Sequence, residues 1–344
     1  MSRVNDFKRL FREGFRESSR WLDWFTSAVF RDEDFTVVEE DGHAASGLLT
    51  TPYATDFHGT ELRLGYISCV ATERARRGRG LMHTLMHRAL TDAHARGMAL
   101  TALIPASRPL FFLYDRLDFS TVYYVDELRY VSAHIFEADA SYRPAEPTYE
   151  TFARLEAATP GCVRHSRAQY DAVLTDLAMD GGHVLAVEWS GGTAAMAFVH
   201  VGDVLTVKYL PYSAPAARET VLDAVHALDP EKGIVVWDAP GPRRPAMRAR
   251  GMARITDALQ ILSALAASDH TIDQTIRLHD PLIPANDAVF VLHSGRCERL
   301  ESTMRHITLD VSVSVLARIL FNSPEIGSVF GLPALRPQLP LMLD

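Results

Sequence analysis

Residues Ile67–Met86 read ISCVATERARRGRGLMHTLM: an apolar strand, a short arginine-rich loop with two glycines, then an apolar-faced helix. No other stretch constrains the fold as much. A strand that hands over directly to a helix with a single apolar stripe requires a sheet with that helix packed on it. The stripe is Leu81, Met82, Leu85, Met86, Ala89, Leu90 and Ala93, at helical spacing. The junction also has a chemistry. Gly78 and Gly80 let backbone approach a ligand closely, and the N–H groups from Gly78 to His83 are the donors that a helix's first turn leaves without partners. With the positive end of the helix dipole they attract a pyrophosphate, and Arg74, Arg76, Arg77 and Arg79 add charge around it. The spacing is not Gly-x-x-x-x-Gly-Lys-Ser/Thr, which excludes a nucleotide triphosphatase loop, and His83 stands where a dinucleotide fingerprint has its third glycine. Taken by itself, the loop is also compatible with a basic, solvated helix start on an ordinary α/β domain.

What remains, Arg77-Gly78-Arg79-Gly80-Leu81-Met82, resembles the Arg/Gln-x-x-Gly-x-Gly/Ala signature of the GNAT acetyltransferase superfamily, with Met82 in place of the small last residue. The resemblance implies acetyl-CoA as co-substrate, held at Val70, Ala71, Thr72, Arg77, Gly78, Arg79, Gly80, Leu81, Met82 and His83. A second segment agrees in order and spacing. ALTALIP from Ala99 to Pro105 reads as a buried strand, and Ser107–Phe119 as a short helix ending in LYDRLDF. That ending resembles the family's Tyr-x-x-Phe-Gly-Phe/Tyr stretch, whose leading tyrosine protonates the departing CoA thiolate. Tyr114 falls on the tyrosine position, and Asp118 stands where the family has glycine. A half-buried helix tyrosine with a satisfied hydroxyl is the plainer reading of Tyr114.

With 344 residues the chain is long enough for two or three domains, and 47% hydrophobic with 23% charged residues is an ordinary globular composition. A net charge of −8 argues against a nucleic-acid partner or an anionic-membrane surface and is compatible with a cationic acceptor. Cys69, Cys162 and Cys297 are isolated and show no metal-ligand spacing, so reduced thiols, a cytoplasmic location and no metal are expected. The first residues, MSRVNDFKRLFREGF, are amphipathic and charged and do not read as a signal sequence, and no apolar run approaches the ~20 residues of a membrane span.

The expected fold class is α+β, in three domains: 1–131, 132–267 and 268–344. In the first, two amphipathic helices between Asp6 and Phe30 precede paired strands around the turn Asp41-Gly42, then the strand–loop–helix unit, and strands at Ala99–Ile104 and Thr121–Val131. The middle third repeats this order, with strands at 184–189, 193–200 and 204–210, a helix from about Ala214 to Leu228 and a strand at Ile234–Trp237. Where the cradle belongs it has Leu210-Pro211-Tyr212-Ser213-Ala214-Pro215, without glycine or arginine, and the prolines remove N–H donors. No CoA is expected there. From His270 the texture changes to short strands at Thr271–Leu278, Ala288–His293 and Ile307–Asp310, then a helix at Val311–Phe321 capped by Asp310, which resembles a small sterol-carrier-protein-like α/β domain. Tandem mixed-sheet GNAT-like domains, the second degenerate, followed by such a domain resemble the layout of the enhanced-intracellular-survival (Eis) acetyltransferases, which implies a homo-oligomer. In that family the final α-carboxylate is the catalytic base. Carried over, it is that of Asp344, anchored by Leu341, Met342 and Leu343 in an otherwise unexplained apolar tail.

An amine with a pKa of about 10.4 is mostly protonated at neutral pH, so an acceptor must lose a proton before it attacks a thioester. A carboxylate accepts it, N–H groups around Val70–Thr72 stabilise charge on the acetyl oxygen, and Tyr114 protonates the thiolate. The implied activity is N-acetyl transfer in a ternary complex to a small-molecule amine, such as an aminoglycoside or polyamine, or to a lysine side chain. Asp32, Glu33, Asp34, Glu39, Glu40 and Asp41 are candidates for a cationic pocket or a solvated face, and Trp21 and Trp24 for core or platform. The contrasting function class is a non-catalytic protein that binds CoA or an apolar ligand.

Overall fold

The computed structural model describes residues 2–190, 192, 194–239, 247–321, 332 and 335–343. The chain groups into two compact units, residues 1–123 with 251–336 and residues 124–250 with 337–343. The first opens with α1 (Arg3–Gly14) and α2 (Ser19–Ala28), whose apolar stripes meet in an aromatic cluster. Trp21 stacks between Phe11 and Phe25, at ring-centroid distances of 5.4 and 4.7 Å, and is therefore core. β1 (Phe35–Glu40) and β2 (His43–Phe57) pair around Asp41 and Gly42, both at positive φ as a two-residue hairpin turn requires. β3 (Thr60–Thr72), α3 (Leu81–Ala95), β4 (Leu100–Leu103), α4 (Arg108–Asp115) and β5 (Ser120–Tyr130) follow. The stripe of α3 is buried as its spacing predicts, with Leu85, Met86, Ala89 and Leu90 packed on Leu48 and Ile67 of the sheet. The helix carrying Tyr114 ends at Asp115, earlier than the sequence suggests, because Leu117 and Phe119 both turn back to donate to the Tyr114 carbonyl.

The second unit contains β6 (Arg143–Ala145), α5 (Tyr149–Ala157), β7 (Val163–Arg164), α6 (Arg167–Met179), β8 (His183–Glu188), β9 (Ala194–Val201), β10 (Leu205–Tyr209), α7 (Pro215–His226) and β11 (Ile234–Asp238). Its sheet runs β5-β11-β10-β9-β8-β6. The repeated order is real at the level of topology. In each unit a long hairpin ends in a bulged strand, a helix crosses over, and a short strand returns in parallel. The tail is stitched to this unit. Gln338 accepts from the Val163 N–H and donates to the Gly161 carbonyl, while Leu339, Met342 and Leu343 are buried. Asp344 lies outside the described residues.

β12 (Met247–Ile255) leads back to the first unit, where Met252–Ile255 pair antiparallel with β4. α8 (Ala258–Ser268), β13 (Gln274–His279), β14 (Ala288–His293), β15 (Arg296–Leu300), β16 (Leu309–Ser312) and α9 (Val313–Phe321) complete it. The four short strands form a separate sheet, β15-β14-β13-β16. Asp310 is not the cap of α9, as its position in the sequence suggests. It lies in β16 and accepts from His279 at 2.6 Å, while Ser312 Oγ accepts the Val315 N–H.

Candidate active site

β3 and β4 pair in parallel over only Leu64↔Leu100, Gly65↔Thr101 and Tyr66↔Ala102. Beyond Tyr66 the strands diverge, and β3 continues to Thr72 bonded to β2 alone on the pairings described. An extra residue in β3 near Cys69, which sits at φ +55°, breaks the register against β2 between Gly47 and Leu49. The bulge turns Val70, Ala71 and Thr72 into a cavity of about 610 Å³, walled on its other sides by Gly78, Gly80, Leu81, Met82 and His83 and by Leu110, Leu113, Tyr114 and Leu117.

The cradle has the backbone its sequence implies. Gly78 and Gly80 adopt φ of +80° and +81°, in the left-handed region that other L residues avoid, and a Cβ on either meets nothing within 4 Å. The cradle is therefore open above its glycines. Thr84 N–H makes the first backbone bond of α3, to the Gly80 carbonyl at 3.2 Å, so the N–H groups of Leu81, Met82 and His83 precede any intrahelical partner. The arginines divide. Arg77 lines the cavity and donates to the Thr72 carbonyl at 3.1 Å. Arg76 also borders the cavity but is committed to the protein itself, bonding Glu40 at 2.7 Å, Asp41 at 2.9 Å and Glu73 at 2.7 Å. Its contacts with Glu40, then Asp41, raise its pKa above the usual guanidinium value. Arg79 approaches Glu40 at 3.7 Å and is not among the residues that wall the cavity, and Arg74 faces a shallower depression beside Glu13. The expected ring of four charges is thus chiefly Arg77 and the helix terminus.

Tyr114 is 6% exposed, with its ring edge-on to Phe119. Among the described residues its hydroxyl has no hydrogen-bond partner, although it borders the cavity. Burial pushes the phenol up to about 12. Asp118 stands at φ +60°, which explains why a glycine suits this position, and burial raises its carboxyl above the usual range. His87, one turn beyond His83 with rings 4.2 Å apart, is held below the usual imidazole range by burial, then by His83 and Arg254.

Residues 1–122 match the family model of an acetyltransferase (GNAT) domain. The first domain is a GNAT acetyltransferase domain. By that domain the chain is an N-acetyltransferase. No curated protein matches the sequence. Among solved structures, the chain is similar to a conserved protein from Enterococcus faecalis V583, with TM-score 0.79, 14% identity, and 98% of this chain and 97% of that one covered. It is also similar to a GCN5-related N-acetyltransferase from Kribbella flavida (TM-score 0.74, 16% identity, 98% and 97% covered) and to Eis1 from Mycobacterium abscessus (TM-score 0.70, 16% identity, 96% and 91% covered). At these identities the likeness is one of fold, and it extends over almost the whole chain.

The acidic residues ahead of the GNAT cradle do not gather into a pocket. Asp34 is buried and pairs with Arg96 at 2.6 Å, and burial raises its pKa despite that partner, while Glu40 and Asp41 hold Arg76. Two other features escape sequence reading. Arg254 of β12 and Asp280, both with fully buried side chains, pair at 2.6 Å, and Arg254 Nε donates to the carbonyl of Leu117, in the turn that follows Tyr114. In the second unit, Glu156 holds buried His165 through both the ring, at 2.8 Å, and the backbone N–H. The one available signal was an arginine at an otherwise apolar position of a strand, GMARI. No helix among the described residues is long and apolar enough to cross a membrane, and no three metal-capable side chains converge among them.

Proposed function

We propose that the first domain transfers acetyl from acetyl-CoA to a primary amine by direct attack in a ternary complex. The observation that carries this reading is the junction itself: open left-handed glycines and the first N–H groups of α3 at one end of an apolar-walled cavity, with Tyr114 bordering it. These residues fit the co-substrate. The N–H groups from Gly78 to His83, with Arg77, would receive its diphosphate, and the leucines of α3 and α4 would face its apolar arm. When bound, acetyl-CoA supplies an activated thioester with a thiolate as leaving group. Around Val70–Thr72, the N–H groups that face away from β2 would donate to the oxygen on which charge develops.

Tyr114 holds a proton at its hydroxyl for the sulfur. With its phenol pushed up to about 12 it is fully protonated at neutral pH, and the same dry surroundings raise the basicity of a thiolate placed against it. The acceptor's proton needs a base; among the described residues His83 lines the cavity and no carboxylate side chain does. We assign that role to the terminal carboxylate of Asp344, and the buried Met342 and Leu343 just before it supply its anchor. The acceptor is a cationic small molecule, an aminoglycoside or polyamine, or a lysine side chain. The middle domain is a degenerate copy without CoA, the last is sterol-carrier-like, and the assembly is an Eis-like cytoplasmic homo-oligomer.

The test is purified protein with acetyl-CoA and an amine panel, following free thiol. Thiol release that requires an amine and collapses in Tyr114→Phe supports the enzyme. Tight acetyl-CoA binding with no turnover across the panel would instead support a CoA-binding protein, and full activity with a long C-terminal extension removes Asp344 from the mechanism.

A further inference from the structure

The turn bearing Tyr114 is held from outside its own segment. α4 is short, exposes Phe112 and faces the cavity with Leu110 and Leu113, while Tyr114 and Leu117 pack into the core; polar contacts from elsewhere fix the turn further. Two contacts from the C-terminal part of the same compact unit do so. Arg254 donates through Nε to the Leu117 carbonyl at 3.2 Å, and its Nη2 meets Asp280 at 2.6 Å. Asp280 is itself fixed by the N–H groups of Leu282 and Ile283 and by Asn286 at 2.9 Å. Arg318 of α9 reaches Asp115, the residue after Tyr114, at 2.9 Å, and donates to Ser120 Oγ at 3.3 Å. Ser120 Oγ in turn donates to the Ser314 carbonyl at 2.8 Å.

We propose that Arg254 and Arg318 are positioning residues for acetyl transfer: through the Leu117 carbonyl and through Asp115 with Ser120, the C-terminal part of the chain sets where the Tyr114 hydroxyl stands. This rests on the reading of Tyr114 as the proton donor. Neither arginine lines the cavity; on the segment that carries the tyrosine, Arg254 reaches the Leu117 carbonyl and Arg318 reaches Asp115 and Ser120. A donor displaced by even an ångström loses much of its effect, so the contacts act on turnover and not on binding of the co-substrate.

The test uses the full chain. Arg318 is half exposed, so Arg318→Ala is expected to leave the melting temperature near wild type. It lowers kcat about tenfold, leaves the acetyl-CoA KM unchanged, and adds nothing in a Tyr114→Phe background. Arg318→Lys, which retains the Asp115 pair, restores most of the loss. Arg254→Lys, keeping the charge beside Asp280 but not the fork that also reaches Leu117, lowers kcat in the same way. In parallel, the Tyr114 ring is titrated by carbon NMR in protein labelled at tyrosine, where Arg318→Ala moves its ionisation from near 12 toward the free-phenol value. Equal kcat losses in the wild-type and Tyr114→Phe backgrounds, or an unmoved kcat and titration, overturn the proposal. Full activity in Tyr114→Phe overturns the proton-donor reading instead, and the titration then still decides whether Arg318 positions the ring.

Discussion

The same junction occurs twice in this chain, and the two copies differ in what the loop does with its backbone. In the first, two left-handed glycines leave the start of α3 open over a cavity. In the second, the loop between β10 and α7 closes on itself. The Pro211 carbonyl accepts from Met196, Ser213 exchanges bonds with Ala194, and Pro215 occupies the first position of the helix. Its strands also pair in parallel over three positions, Leu205↔Ile234 to Val207↔Val236, and then part. Past that point Arg218 crosses from α7 to Asp238 at 2.9 Å and to Tyr130, where the first copy has its opening. A nearly identical topology thus becomes either a ligand cradle or a closed wall, according to whether the loop is left open at its glycines or bonded onto the neighbouring strand.

Removing the proton donor gives the largest expected effect. Tyr114→Phe lowers kcat by about 100-fold or more while acetyl-CoA affinity, by calorimetry, stays within about a factor of two. An intact kcat ends the contrast as one between a working and a silent site. Making the open junction resemble the closed one comes next. Gly80→Val, forced to φ +81°, is expected to weaken acetyl-CoA binding about tenfold through roughly 1–2 kcal/mol of backbone strain. Unchanged affinity in that variant means that the left-handed backbone is not what the ligand needs. Asp118→Gly relieves a left-handed residue and a half-buried carboxyl, and a stability gain of about 1 kcal/mol in urea unfolding is expected.

The pH dependence follows from a raised phenol. The folded state keeps the Tyr114 proton to about 12, while the unfolded chain loses it near 10, so this contribution to stability is complete below pH 10 and is lost as pH rises from there toward 12. An alkaline fall in kcat well below pH 10 that vanishes in Tyr114→Phe contradicts the buried phenol. The smallest effect is none at all. Pro211→Gly with Arg218→Ala, which loosens the closed copy, is expected to leave binding at one acetyl-CoA per chain by calorimetry, and a second equivalent breaks the comparison from the other side.

Much of this was legible in the chain. The helix stripe, the two glycines and the spacing from loop to tyrosine are local patterns, and local patterns survive folding: α3, both positive φ values and the placement of Tyr114 at the cavity follow from them. The arginines were less legible, because the partners that draw Arg76 away lie on a hairpin more than thirty residues earlier. Arg254 and Asp280 were barely legible: the arginine's place in the apolar strand GMARI hinted at burial, but nothing named its partner. A charged pair separated by a helix and a strand gives no periodic signal, and by residue type alone each reads as exposed. The stitching of the tail to residues 161–163 depends on a single parallel bridge, which no composition announces.

The first unit is discontinuous, assembled from residues 1–123 and 251–336. During synthesis, therefore, the nascent GNAT domain waits. Its tyrosine turn lacks the Leu117 and Asp115 contacts until the ribosome has delivered Arg254, Asp280 and finally Arg318, 203 residues after Asp115. Truncated translation products would carry the cofactor loop without the contacts that set the tyrosine turn.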